Sequence, residues 1–104
     1  MTEGAAGQLT LTGISATPSR GGMAIGYRLS QPANVDVEIR NIAGRLIRRL
    51  TEGQESPAGR SEVAWDERSS AGTIVPSGTY MIRVRAKAED GQQASGIGML
   101  HAAR

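Results

Sequence analysis

The chain contains no cysteine and no phenylalanine, and only one tryptophan, two tyrosines, one histidine and one lysine. Without cysteine there is no disulfide framework, no thiolate nucleophile and no thiolate metal ligand. That absence leaves the cellular compartment open, because a domain of this size does not need staples. The formal net charge is only +2, built from eleven arginines and one lysine against ten acids. A balance so close to neutral, with three aromatic residues in all, lacks the concentrated basic face and stacking groups of a nucleic-acid binder. No run approaches the roughly 18 apolar residues of a membrane span. The start, Met1 to Gly7, has neither the basic nor the apolar region of a signal peptide. Neither a nucleic acid nor a membrane is therefore expected as a partner.

Catalytic signatures are missing as well. The sequence has no glycine-rich phosphate loop, no serine-centred elbow and no cluster of metal ligands. His101, the lone histidine, stands near the C-terminal end, where a histidine-dependent triad would rest on a terminal segment. Hydrolytic, redox and nucleotide chemistry have no site, so no enzymatic activity and no cofactor is expected.

What is present points to strands. A chain of 104 residues forms one domain, burying roughly 60 to 70% of its unfolded surface. Fourteen glycines are too many for a helical bundle, where each interior glycine costs about 1 kcal/mol. Met1 to Gly7 has nothing to bury and reads as a flexible lead or a linker from an upstream domain, with the domain itself spanning residues 8–104. Leu9, Leu11 and Ile14 suggest a first strand, closed by a turn over Thr17 to Gly22. Met23, Ile25, Tyr27 and Leu29 then share one face of a second. In the third, Val35, Val37 and Ile39 face inward while Asp36, Glu38 and Arg40 face outward.

Arg45 to Leu50 is short and bounded by Gly44 and Gly53, so it reads as a fourth strand followed by a polar loop over Thr51 to Gly59. A fifth strand alternates from Ser61 to Asp66. In the sixth, Tyr80, Ile82, Val84 and Ala86 point inward, and Arg83, Arg85 and Lys87 outward. Asp90-Gly91 is a strong hairpin signal, and Ala94 to His101 supplies a seventh strand. Seven strands with turns every 8 to 12 residues predict an all-β, antiparallel sandwich of the immunoglobulin or fibronectin-III type.

The stretch from Ala58 to Tyr80 is the most specific. Ala58-Gly59, Trp65-Asp66, Gly72 and Pro76-Ser77-Gly78-Thr79-Tyr80 stand in an order and spacing that resemble the FlgD-like immunoglobulin-like domain, known from the flagellar hook-capping protein and as a module appended to secreted bacterial proteins. Ile25 to Leu29, Val35 to Ile39 and Ala43 to Leu50 extend the resemblance over most of the chain. Glu67 and Ser69 depart from that pattern, in which glycine and aspartate are commoner after Trp-Asp. The resemblance implies a non-catalytic structural or assembly module of a bacterial extracellular, cell-surface or flagellar protein. It implies a protein partner met through a sheet edge or loop end, and an upstream domain in the parent protein; self-association through unpaired sheet edges is a separate hypothesis. A polymer- or carbohydrate-binding accessory role is the alternative, and it requires an exposed aromatic platform.

Each residue of the motif has a physical task. Trp65 is the largest apolar surface available to fill the space between sheets, Asp66 can accept backbone N–H groups, Pro76 presets a turn, and Gly72 and Gly78 suit tight turns. Tyr80, opening a strand, can bury its ring and direct its hydroxyl to a backbone carbonyl. Asp66 and Glu67, with Ser69 and Ser70, gather oxygens that would serve a calcium loop, yet lack the spaced aspartates and central glycine of an EF-hand; an Asp-capped turn is the reading adopted. Arg40, Arg45, Arg48 and Arg49 are the candidate interaction residues, with a charged strand edge as the plainer explanation. Asp36, Glu38 and Arg40 are expected to form ion pairs across to Arg83, Arg85 and Lys87.

Overall fold

A computed structural model describes residues 8–102, so the lead expected over residues 1–7 lies outside the described residues. Seven strands follow in order: β1 Leu11–Ser19, β2 Gly22–Leu29, β3 Ala33–Asn41, β4 Leu46–Ser56, β5 Gly59–Trp65, β6 Gly78–Lys87 and β7 Gln93–Ala102. They form two sheets, β1-β2-β5 and β4-β3-β6-β7, with every pairing antiparallel. This is the sandwich that the alternation predicts. The inward faces of β2, β3 and β6 supply Ile25, Tyr27, Leu29, Val35, Val37, Ile39, Ile82 and Val84, all buried. Burying each such aliphatic side chain is worth about 1.5 to 3 kcal/mol.

Two boundaries differ from the sequence reading. Thr17, Pro18 and Ser19 belong to β1, and the turn shrinks to Arg20-Gly21. Proline is tolerated there because β1 is an edge strand, with no ladder on one side to miss its N–H. The expected polar loop over Thr51 to Gly59 is mostly strand, since β4 continues to Ser56. Its polarity reflects an edge, not a loop: Glu52 to Glu55 are exposed, and Gln54, Glu55 and Ser56 pair with Val35, Asn34 and Ala33 of β3. Thr51 turns inward and mends an irregular stretch of this ladder. Its hydroxyl accepts from the Val37 N–H at 3.1 Å and donates to the Val35 carbonyl at 3.0 Å.

At the other side of the molecule the sheets approach closely. Gly96 and Gly98 leave the inner face of β7 without side chains, and Ile14 of β1 fills the space. A Cβ on either glycine would lie 2.7 or 2.6 Å from an Ile14 side-chain carbon. The segment before β1 is held at the β6–β7 hairpin, where the Leu9 N–H donates to Gln92 Oε1 at 3.0 Å.

Candidate interaction surface

The connection from β5 to β6 is ordered by its own hydrogen bonds. Trp65 is 1% exposed and meets the Tyr80 ring edge to face, with centroids 6.1 Å apart. Its indole N–H donates to the Arg68 carbonyl at 3.0 Å. The chain then makes a small hairpin, in which the Val75 N–H donates to Glu67 O at 2.9 Å and the Gly72 N–H to Ser69 O at 2.9 Å. Tyr80 donates its hydroxyl to the Pro76 carbonyl at 2.6 Å, which anchors the end of the connection to the start of β6. Gly72 and Gly78 adopt φ of 86° and 151°. Glu67 adopts φ of 62°, the left-handed conformation that glycine takes freely. It is one of the two residues expected to depart from the family pattern, and it is the non-glycine residue with positive φ among the described residues.

Asp66 does not face an open ligand site. Its Oδ1 accepts from the Arg68 N–H at 3.0 Å and from the Arg48 guanidinium at 3.2 Å. Among the described residues no three histidine, aspartate or glutamate side chains come together as metal ligands.

The four candidate arginines separate into different environments. Arg48 reaches from β4 to the β5–β6 connection, donating to Asp66 and, at 3.1 Å, to the Arg68 carbonyl. The Ser70 N–H bonds Ile47 O at 2.9 Å beside it, covering part of the β4 edge. Arg45 is exposed in the β3–β4 turn, where its backbone N–H donates to Asn41 Oδ1 at 2.9 Å. Arg40 and Arg49 converge on Glu38, at 2.9 and 3.2 Å.

That convergence corrects two expectations. Glu38 does lie on the outer face of its sheet, but it is only 2% exposed, because the two arginine side chains cover it. The expected ion pairs to β6 are not made among the described residues. Arg83 stands opposite Glu38 and Arg85 opposite Asp36, yet Glu38 turns to Arg40 and Arg49, and Asp36 accepts from the Gly53 N–H at 2.6 Å. Burial raises the Glu38 pKa, but the hydrogen bonds and charges of Arg40 and Arg49 outweigh it and hold the group below its ordinary 4.5. The folded value is thus depressed, so ionised Glu38 stabilises the fold above about pH 4.5, and this contribution is lost as the pH falls through the folded value. Glu38→Gln is expected to cost about 1 to 3 kcal/mol near neutral pH, with a smaller difference from wild type at pH 3. Urea unfolding at both pH values measures it; a gap of equal size at each would contradict the assignment.

With the acids occupied, Arg83, Arg85 and Lys87 form no ion pair among the described residues. Beside them lies an apolar patch that the sequence reading did not single out. Met81 pairs with Met99, and Arg83 with Ile97. Ile97 and Met99 are 64% and 57% exposed. The signal was present in the sequence: Leu100 and Ala102 set the phase of β7, which turns Ile97 and Met99 outward and the glycines inward. Methionine, isoleucine and arginine on one open sheet face form a surface suited to another protein, since methionine and arginine are enriched in such interfaces. The described surface around Arg40, Met81, Arg83 and Ile97 is an open depression, not an enclosed pocket.

The FlgD Ig-like domain family matches residues 13–94. No curated protein is matched. Among solved structures, FlgD from P. aeruginosa is 21% identical, with a TM-score of 0.55 over 93% of this chain and 70% of that one. CopC from Methylosinus trichosporium OB3b is 15% identical, with a TM-score of 0.53 over 85% of this chain and 78% of that one. At these identities the structures speak for the shared sandwich, whereas the family match spans most of the chain and includes the Trp65 to Tyr80 motif. The chain belongs to the FlgD Ig-like domain family.

Proposed function

We infer that the domain is a non-catalytic structural module of a bacterial extracellular, cell-surface or flagellar assembly, and that it makes its protein contacts through the outer face of the four-stranded sheet. The observation that carries this reading is the patch of exposed Ile97 and Met99 with half-buried Met81, beside the cations Arg83, Arg85 and Lys87, which form no ion pair among the described residues. Family membership supports the setting, and a hook-cap role is its most specific form. The polymer-binding alternative lacks its platform, because Tyr27, Trp65 and Tyr80 are all buried.

The absence of cysteine makes a direct test available. Ser95→Cys places a thiol on the outer face of β7, and Ala64→Cys places one on the opposite, three-stranded sheet. In cells that encode the protein, both thiols are expected to react with a membrane-impermeant maleimide without lysis. A thiol-to-amine cross-linker is expected to join the protein to a neighbour outside the cell from Ser95→Cys, and at most weakly from Ala64→Cys. Labelling only after lysis, or equal cross-linking from both sheets, would overturn the reading.

A further inference from the structure

We propose that β7 is a self-pairing edge, through which two copies of the chain join antiparallel and extend the four-stranded sheet to eight strands. This rests on the reading that the outer sheet face makes protein contacts, and it names the occupant. Unpaired edges present a row of free N–H and C=O groups, and soluble proteins ordinarily blunt them with charge, proline, bulges or a covering loop. Three of the four edges here carry such protection. In β1 there is an irregularity between Thr12 and Ser15, and Pro18. Along β4 there are register shifts, the charges of Arg48, Arg49, Glu52 and Glu55, and the Ser70 contact at Ile47. On β5 Arg60 and Glu62 supply charge. By contrast β7 is protected only on its inner face, where Ile14 of β1 packs against Gly96 and Gly98: it pairs with β6 over ten consecutive residues without a shift, contains no proline, aspartate, glutamate, lysine or arginine, and has no ladder on its other side among the described residues.

The side chains of this edge are self-complementary about a two-fold axis at Gly98. Antiparallel pairing there sets Ile97 opposite Met99 of the second copy, and Met99 opposite Ile97. Because Met81 already pairs with Met99, each copy contributes three side chains to one apolar cluster, an isologous contact in which the same patch serves both sides. Charge permits it. The Arg83 residues of the two copies would be separated by three strand spacings, about 14 Å, beyond the Debye length of about 8 Å at physiological ionic strength. An acidic strand from another protein would also find cations nearby, but these lie one strand in from the edge, while the edge itself is uncharged and matches its own copy.

Sedimentation velocity of the full chain from micromolar to millimolar concentration tests the proposal. Wild type is expected to pass from monomer to dimer. Ile97→Lys and, separately, Met99→Lys are expected to weaken the dimer at least tenfold with an unchanged circular dichroism spectrum, whereas Glu52→Lys on β4 leaves it intact. The double variant Ile97→Cys/Met99→Cys is expected to oxidise to a covalent dimer, since directly opposed Cβ atoms approach to about 4.5 Å, the upper end of the separation a disulfide spans. A wild type monomeric at millimolar concentration, a dimer indifferent to both lysines, or a failure of the double-cysteine variant to cross-link would overturn the proposal. A monomeric wild type whose Ser95→Cys form still cross-links to a different protein outside the cell would sink self-pairing alone and leave the broader function standing.

Discussion

Gly22→Ala is expected to destabilise the domain by at least about 3 kcal/mol, combining backbone strain with overpacking. Gly22 opens β2 at φ of 157°, and its α-carbon faces the end of β5. An added Cβ would overlap the Trp65 carbonyl oxygen and sit 3.0 Å from both the Trp65 carbonyl carbon and Asp66 Cα. All three are backbone atoms, so no side-chain rotation relieves the contact. The strand must move, and with it the β2–β5 pairing that begins at Met23 and Trp65. In a domain of this size the loss corresponds to a fall in Tm of about 12 to 24 °C. The neighbouring Gly21 is the control. It adopts φ of 81° but has nothing within 4 Å of its would-be Cβ, so Gly21→Ala bears conformational strain alone, about 1 kcal/mol. Thermal and urea unfolding followed by Trp65 fluorescence separates the two; equal losses at both positions would show that the Trp65 carbonyl yields freely.

Trp65→Ala is the second large effect, an expected loss of about 3 to 5 kcal/mol. A domain of this length has roughly 5 to 15 kcal/mol of stability in total, so the loss takes about a fifth of it or more. The size follows from three roles in one side chain: a buried ring between the sheets, an edge contact with Tyr80, and the indole hydrogen bond to the Arg68 carbonyl. Losing that donor leaves the β5–β6 connection without its inner tie. Trp65→Phe keeps an aromatic ring but not the donor, and about half the loss is expected. Urea titration followed by far-ultraviolet circular dichroism gives both values; a Trp65→Ala variant within 1 kcal/mol of wild type would show that the ring is not a principal support.

These two sites also show what could be read before the structure. The alternation of Met23 to Leu29 and of Val35 to Ile39 was legible because both strands are central, and a central strand of a sandwich must bury one face completely. Edge strands obey a weaker rule. Thr17-Pro18-Ser19 and Thr51 to Ser56 look like loops because one side of each strand meets water instead of a ladder, so polar residues and proline cost little there. The alternation places Glu38 on the outer face of its sheet, as found, but says nothing of its burial. Strand period tells which way a side chain points, whereas its cover came from Arg40, two residues on, and from Arg49 on another strand. The outward patch on β7 was hidden by an inversion: its core-facing positions carry glycine, and the missing volume is supplied by Ile14, some eighty positions away in the sequence. The candidate arginines, grouped by proximity in the chain, were divided by the irregular β4, which sends Arg48 toward Asp66 and Arg49 toward Glu38.

The tie between Leu9 and Gln92 has a mechanical consequence. It holds the chain's entry beside the start of β7, whereas Ala102 pairs with Gly78 at the far end of the same strand. Nine residue steps of extended chain separate these points, about 30 Å, so the polypeptide enters at one pole and leaves at the other. Tension applied along the backbone would therefore pull β1 and β7 lengthwise past their neighbours, loading many ladder bonds together in shear instead of opening them singly like a zipper.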